Sequence, residues 1–253
     1  MAELEFRLLD AATFDDIPDP AQPGARCQTC DYWERLDGGR DAPAADAPDR
    51  IARATLKRQR LLGGRAAGGA LAMVAVRTDA MDVRVTGYAQ FGPLSGYPRA
   101  QSIRERYPQL PESPAPWVVT CLQIHGASDA EARMADGVAL LAAVCDELDR
   151  RGIIAVEAYP EGVADAWLPS PGPASMYEAA EFERVAGDER FPVYRRELSG
   201  ETDADAWSDL LRASTPSDEG DAWPLPLPPK RNPDDLFRLP PEKPKRPNPF
   251  GDG

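Results

Sequence analysis

The chain is poor in several of the residues on which common chemistries depend. It has one histidine, His125, in 253 residues. No Ser-His-Asp arrangement can be argued from it, although its position directly after a strand makes it a candidate base near neutral pH. Four cysteines are too few for a disulfide scaffold of this size. No apolar run approaches the length of a bilayer span, and Met1–Pro20 carries acids rather than a basic, apolar leader. A cytoplasmic protein is the expectation. Basic residues are outnumbered 29 to 42, giving a net charge of −13, which argues against nucleic acid or an anionic membrane as partners.

What is present suffices for one sizeable core, with 42% hydrophobic residues in a length that permits one or two domains. Residues 4–9 read as a short strand, and Cys27–Leu36 (CQTCDYWERL) as a compact apolar segment. Arg50–Leu62, basic with apolar spacing, reads as a helix. ALAMVAV and VRVTGYAQF, with a turn around Asp79–Asp82, predict an antiparallel pair. Gly92–Pro116 reads as a long loop with a short helix at Ala100–Tyr107.

Trp117–Ile124 (WVVTCLQI) has the continuous apolar character of a strand buried on both faces. The helix after it places Met134, Val138, Leu141, Cys145 and Leu148 on one stripe and stops at Arg150-Arg151-Gly152. Ile153–Tyr159 is the next predicted strand, Ser175–Ala180 a helix, and RFPVYRREL a final strand. Residues 199–253 differ in kind: 11 of the 27 prolines fall there, with an acidic part followed by a basic one. Apart from a helical turn or two at Trp207–Arg212, this composition predicts a disordered tail following a folded domain of residues 1–198. WPLPLPP and RLPPEKPKRP would also suit a docking peptide for a protein partner.

The order strand, helix, strand, helix, strand from Trp117 to Leu198 resembles the acyl-CoA-binding half of GNAT-superfamily N-acyltransferases. IIAVEAYP at Ile153–Pro160, the Tyr177/Phe182 spacing in MYEAAEF and CDYWE at Cys30–Glu34 carry the resemblance further. It implies an α/β (more strictly α+β) fold, a mixed, largely antiparallel sheet flanked by helices. The implied activity is transfer of an acetyl or other acyl group from acyl-CoA to an amine. Amides of Leu122, Gln123 and Ile124 would hold the pantetheine arm, and Tyr177 would protonate the departing thiolate. Aligning Leu140-Leu141 with the family's helix puts Ala132 where members carry Arg or Gln, with Ala135 and Gly137 at the two small-residue positions. Arg133 stands one place away.

A helix that starts after a buried strand points free N–H groups at a diphosphate. Here Asp129, Glu131 and Asp136 lie in or beside that loop and oppose one. Ser128 with Glu131 also fits a capping box that would occupy the same N–H groups. The loop is degenerate, so an inactive binding or regulatory module using the tail is the alternative. For the base, Glu157 lies on the strand beside the expected acceptor site, and Gln123 could position a water. Cys27 and Cys30 form a CxxC without a second CxxC or CxxH. Packing beside Tyr32 and Trp33 is expected rather than half of a zinc site or a redox dithiol.

Overall fold

The computed structural model describes residues 3–20, 26–36, 47–63, 69–79, 82–111, 114–160, 172–188 and 192–199. The chain divides into two units, Met1–Leu211 and Arg212–Gly253, and the described residues lie in the first. The expectations for the tail and for Trp207–Arg212 therefore fall outside the described residues.

Seven strands form one sheet: β1 (Glu3–Leu8), β2 (Ala72–Thr78), β3 (Val83–Pro93), β4 (Trp117–Ile124), β5 (Ala155–Ala158), β6 (Glu183–Ala186) and β7 (Val193–Glu197). Their spatial order is β1-β2-β3-β4-β5-β7-β6, and every pairing is antiparallel except β4 with β5. The helices are α1 (Ala47–Leu62), α2 (Pro98–Arg104), α3 (Ala130–Arg150) and α4 (Ala174–Ala179). This is the mixed, largely antiparallel α/β architecture expected from the sequence. Among the described residues no helix is long and apolar enough to cross a membrane.

The β2–β3 hairpin closes where its Asp residues stand. Asp79 N–H donates to Asp82 O, and Asp82 N–H to the Asp79 carboxylate, both at 2.9 Å, the local bonding that makes Asp a turn residue. Strand β4 spans the predicted residues, and Trp117–Leu122 are buried. A single crossover through α3 then makes the parallel β4–β5 pair, as such a pair requires.

Several boundaries differ from the reading of the sequence. Helix α1 starts at Ala47, three residues early, because Pro48 is tolerated in a first turn. Helix α2 starts at Pro98 for the same reason and ends at Arg104 rather than Tyr107. On α3 the buried set is Gly137, Leu140, Leu141, Val144, Cys145 and Leu148, with Met134 and Val138 only partly covered. The buried face is thus turned toward Gly137, which packs on α4. Strand β6 lacks a prediction of its own, since Glu183, Arg184 and Val185 are all exposed and leave no alternating pattern.

Candidate functional site

Strand β4 is the element on which the site is built. Toward β3 it is paired along its length, from Pro93↔Trp117 to Gly87↔Ile124. Toward β5 the pairing covers only Trp117↔Val156, Val118↔Glu157 and Val119↔Ala158. Two local features end it. Pro160, two residues past β5, has no N–H to extend the ladder. The β3–β4 register also slips between Gln90 and Phe91, leaving Thr120 as the extra residue, its hydroxyl donating to Gln90 O at 3.3 Å.

From Thr120 to Ile124 the side of β4 facing away from β3 therefore has no strand on it among the described residues. His125 N–H donates to Thr86 O at 2.7 Å, which fixes the alternation. His125, Gln123 and Cys121 direct their backbone groups at β3, and Leu122 and Ile124 direct theirs at the open edge. Of the three residues expected to offer amides there, two do, and the Gln123 amide is turned inward.

Helix α3 begins beyond this edge. Its N-cap is Asp129, not the expected Ser128. The Asp129 carboxylate accepts from Ala132 N–H at 2.8 Å, and the Ser128 hydroxyl donates to Asp129 at 2.8 Å. The shift by one residue follows from Asp accepting more strongly at a positive helix end. The Ala132 backbone bond, with that of the Ser128 hydroxyl, holds the Asp129 carboxyl below its ordinary pKa. Asp136 is answered by Arg77 of β2 at 2.7 Å, so its charge is not turned against an incoming anion. Arg133 is exposed in the first turn.

The structure places Ala135 and Gly137 inside the helix, where backbone N–H groups bond to carbonyls one turn back. Gly137 is buried, and a Cβ there would lie 2.3 Å from Met176 Sδ of α4. The glycine that the sequence offers as a cofactor contact permits close helix packing instead. Tyr177 is likewise internal: it has 0% exposure, its ring edge-on to Phe182 at 5.3 Å and tilted over Tyr194 at 6.4 Å. Burial pushes its phenol well above the ordinary pKa.

Two carboxylates sit under β4 on the face away from α3. Glu157 of β5, the candidate base beside the expected acceptor site, lies inside the fold. The residue has 0% exposure and takes Arg104 Nε at 3.0 Å, Arg195 at 2.9 Å and the Tyr159 hydroxyl at 2.7 Å. Three donors on its two oxygens make it a strong tie between α2, β5 and β7. Glu34, from CDYWE, is different. Its Oε1 accepts from Lys57 Nζ at 2.8 Å and Gln90 Nε2 at 2.9 Å, with Arg60 Nε 3.9 Å away. Its Oε2 is buried without a partner. Burial pushes the Glu34 carboxyl up, but Lys57, Arg60 and Gln90 outweigh it, so its pKa lies below the usual value.

Gln90 ties this pair to the strand, its side chain also meeting the Tyr88 hydroxyl at 3.1 Å and the Tyr97 hydroxyl at 3.3 Å. Residue-by-residue reading missed this cluster, since a buried Lys-Glu pair has no composition signal. The pattern T-x-Y-x-Q at Thr86, Tyr88 and Gln90 did hold one: three polar residues two apart share one face of a strand. His125 is half-buried, and burial with the nearby Arg133 keeps its pKa low. The Cys27 thiol, pushed by burial to about 12, is a packing group. Among the described residues no cluster of His, Cys, Asp and Glu could hold a metal.

No family model matches the chain, and no curated protein matches it. Solved structures similar to it include three acetyltransferases. An N-acetyltransferase from Staphylococcus aureus Mu50 is 12% identical, covering 78% of this chain and 99% of its own, with a TM-score of 0.42. A ribosomal-protein-alanine N-acetyltransferase from Brucella melitensis is 14% identical, covering 77% and 99%, with a TM-score of 0.44. A mosquito arylalkylamine N-acetyltransferase like 5b is 12% identical, covering 78% and 100%, also with a TM-score of 0.44.

Proposed function

We propose that the chain is an N-acyltransferase that passes an acyl group, acetyl or larger, from acyl-CoA to an amine. The observation that carries the reading is the open edge of β4. Strand amides at Leu122 and Ile124 that no strand among the described residues pairs with suit an extended chain carrying amide groups of its own, and the pantetheine arm of CoA is such a chain. The thioester would lie near Thr120, where β4 leaves β5. The amine nitrogen attacks the carbonyl carbon, an N–C bond forms and the C–S bond breaks. One amine proton is lost, and the thiolate takes one up. Tyr177, protonated across the neutral range, is the candidate donor of that proton.

One feature of α3 favours a second reading, a GNAT-like fold that has lost its enzyme role and serves as a binding or regulatory module. Asp129 places a carboxylate on the first-turn N–H groups that a diphosphate would use. Calorimetric titration of the full chain with acetyl-CoA, followed by a thiol-release assay with amines, separates the two. Saturable binding with turnover supports the enzyme, and binding without turnover for any amine supports the module. No heat at millimolar cofactor removes the enzyme and leaves the module, whose first-turn cap would exclude the diphosphate.

A further inference from the structure

The two ends of the sheet are finished differently. At one end β6 is short, and its pairing with β7 is broken by a bulge between Arg184 and Ala186. Both features keep an exposed edge from recruiting another strand. At the other end β1 keeps an unbroken register with β2, and its sequence ELEFRL contains neither proline nor lysine. Among the described residues no strand pairs with its outer side. Leu9 N–H donates to Ala72 O at 2.9 Å, one rung beyond Leu8↔Met73. Alternation then turns the backbone groups of Glu5 and Arg7 toward β2 and those of Leu4, Phe6 and Leu8 outward. The side chains divide in the same way. Glu5 and Arg7 stand exposed on one face, paired with each other, and Leu4, Phe6 and Leu8 form a partly covered apolar row on the other.

We propose that this edge joins two copies of the chain, β1 against β1 in antiparallel pairing about a two-fold axis at Phe6. The partner's Phe6 then stands opposite Phe6, and the partner's Leu8 opposite Leu4. These residues direct their backbone groups outward, so each such pair exchanges both of its N–H···O bonds. On the apolar face the two rows of Leu4, Phe6 and Leu8 meet and cover one another. On the other face the partner's Arg7 stands opposite Glu5, and the partner's Glu5 opposite Arg7. Together with the ion pair already present within each strand, the four charges alternate in sign around a square. Charge also fixes the register. Centring the axis one residue to either side sets Glu5 against its own copy or Arg7 against its own, and like charges directly opposite repel. Such self-complementarity is what a two-fold contact between identical chains requires. Strands β2 and β3 stand between this edge and the open side of β4, so the dimer leaves the proposed acyl-CoA edge free.

The test is sedimentation equilibrium of the full chain in low salt, from micromolar to near-millimolar concentration, where a monomer–dimer equilibrium is expected. Glu5→Arg and Arg7→Glu each set like charges opposite one another and raise the dissociation constant about tenfold or more, the scale of two cross-strand pairs reversed. Mixed in equal amounts, the two variants associate about tenfold more tightly than either alone, because one offers two cations where the other offers two anions. Deuterium exchange of the unaltered chain needs no variant. The Leu4, Phe6 and Leu8 amides exchange more slowly as concentration rises, while those of Glu5 and Arg7, already bonded to β2, do not change. A monomer at every concentration overturns the proposal. A dimer that both variants leave intact does so too, and so does a mixture no tighter than its parents while both keep native circular dichroism. Protection of Leu4, Phe6 and Leu8 that is independent of concentration also overturns it and gives the edge to another part of the same chain.

Discussion

Between Trp117 and Val119, β4 has a strand on each side, and the carboxylate beneath it, Glu157, is closed by three donors. Among the described residues, from Thr120 to Ile124 it pairs with β3 alone, and the carboxylate reached through Gln90, Glu34, keeps one oxygen without a partner. One strand is thus fully satisfied in its first half and incompletely satisfied in its second, in its backbone edge and in the side chains below it. Satisfied polar groups tie a fold together, and unsatisfied ones indicate where something else belongs. The first half ties the fold together, and the second is where the proposed acyl-CoA would lie.

The largest expected effect lies in the closed half. Glu157→Ala leaves the buried Arg195 and the half-buried Arg104 without their shared counter-charge, so unfolding in urea should show a loss of about 3–5 kcal/mol. A loss under 1 kcal/mol would erase the distinction between the halves. Gly137→Ala comes next. Its methyl must displace Met176, at a cost of about 1–3 kcal/mol that better helix propensity offsets by about 1 kcal/mol. If Gly137 instead admits a cofactor, the melting temperature would hold and acetyl-CoA affinity alone would fall.

In the open half, Thr86→Val should leave thermal stability level or slightly raised, the opposite sign from Glu157→Ala. A melting point several degrees lower would show that Thr86 has a partner in the protein. The smallest effect is expected of Asp129→Asn. It keeps a capping oxygen but removes the negative charge from the first turn of α3, and acetyl-CoA affinity should rise a few-fold in low salt. An unchanged affinity would mean that the cap does not compete with the cofactor.

The sequence made the fold legible where burial is continuous. WVVTCLQI and the α3 stripe predict elements the structure contains, because long apolar patterns determine where an element lies and what it packs against. The open edge itself depends on a slip of one residue at Thr120 and on Pro160, features that act through pairing with other strands and leave little trace in one segment. Glu34 and Lys57 are 23 residues apart, and Glu157 and Arg195 are 38 apart. Such charges read as surface residues until the fold brings them together. The sequence does contain one polar face of β3 as alternating Thr86, Tyr88 and Gln90, but alternation reveals a shared face and not what it borders. Gly137 is ambiguous for a related reason: a small residue near a helix start suits both a phosphate and a neighbouring helix, and the sequence does not show that Met176 lies against it.

The most direct test of the open edge is backbone amide NMR of the full chain titrated with acetyl-CoA. The Leu122 and Ile124 amide resonances should shift progressively and to saturation, with Gln123, whose N–H faces β3, moving least of the three. Unmoved Leu122 and Ile124 resonances at millimolar acetyl-CoA, or shifts confined to other parts of the chain, would contradict it.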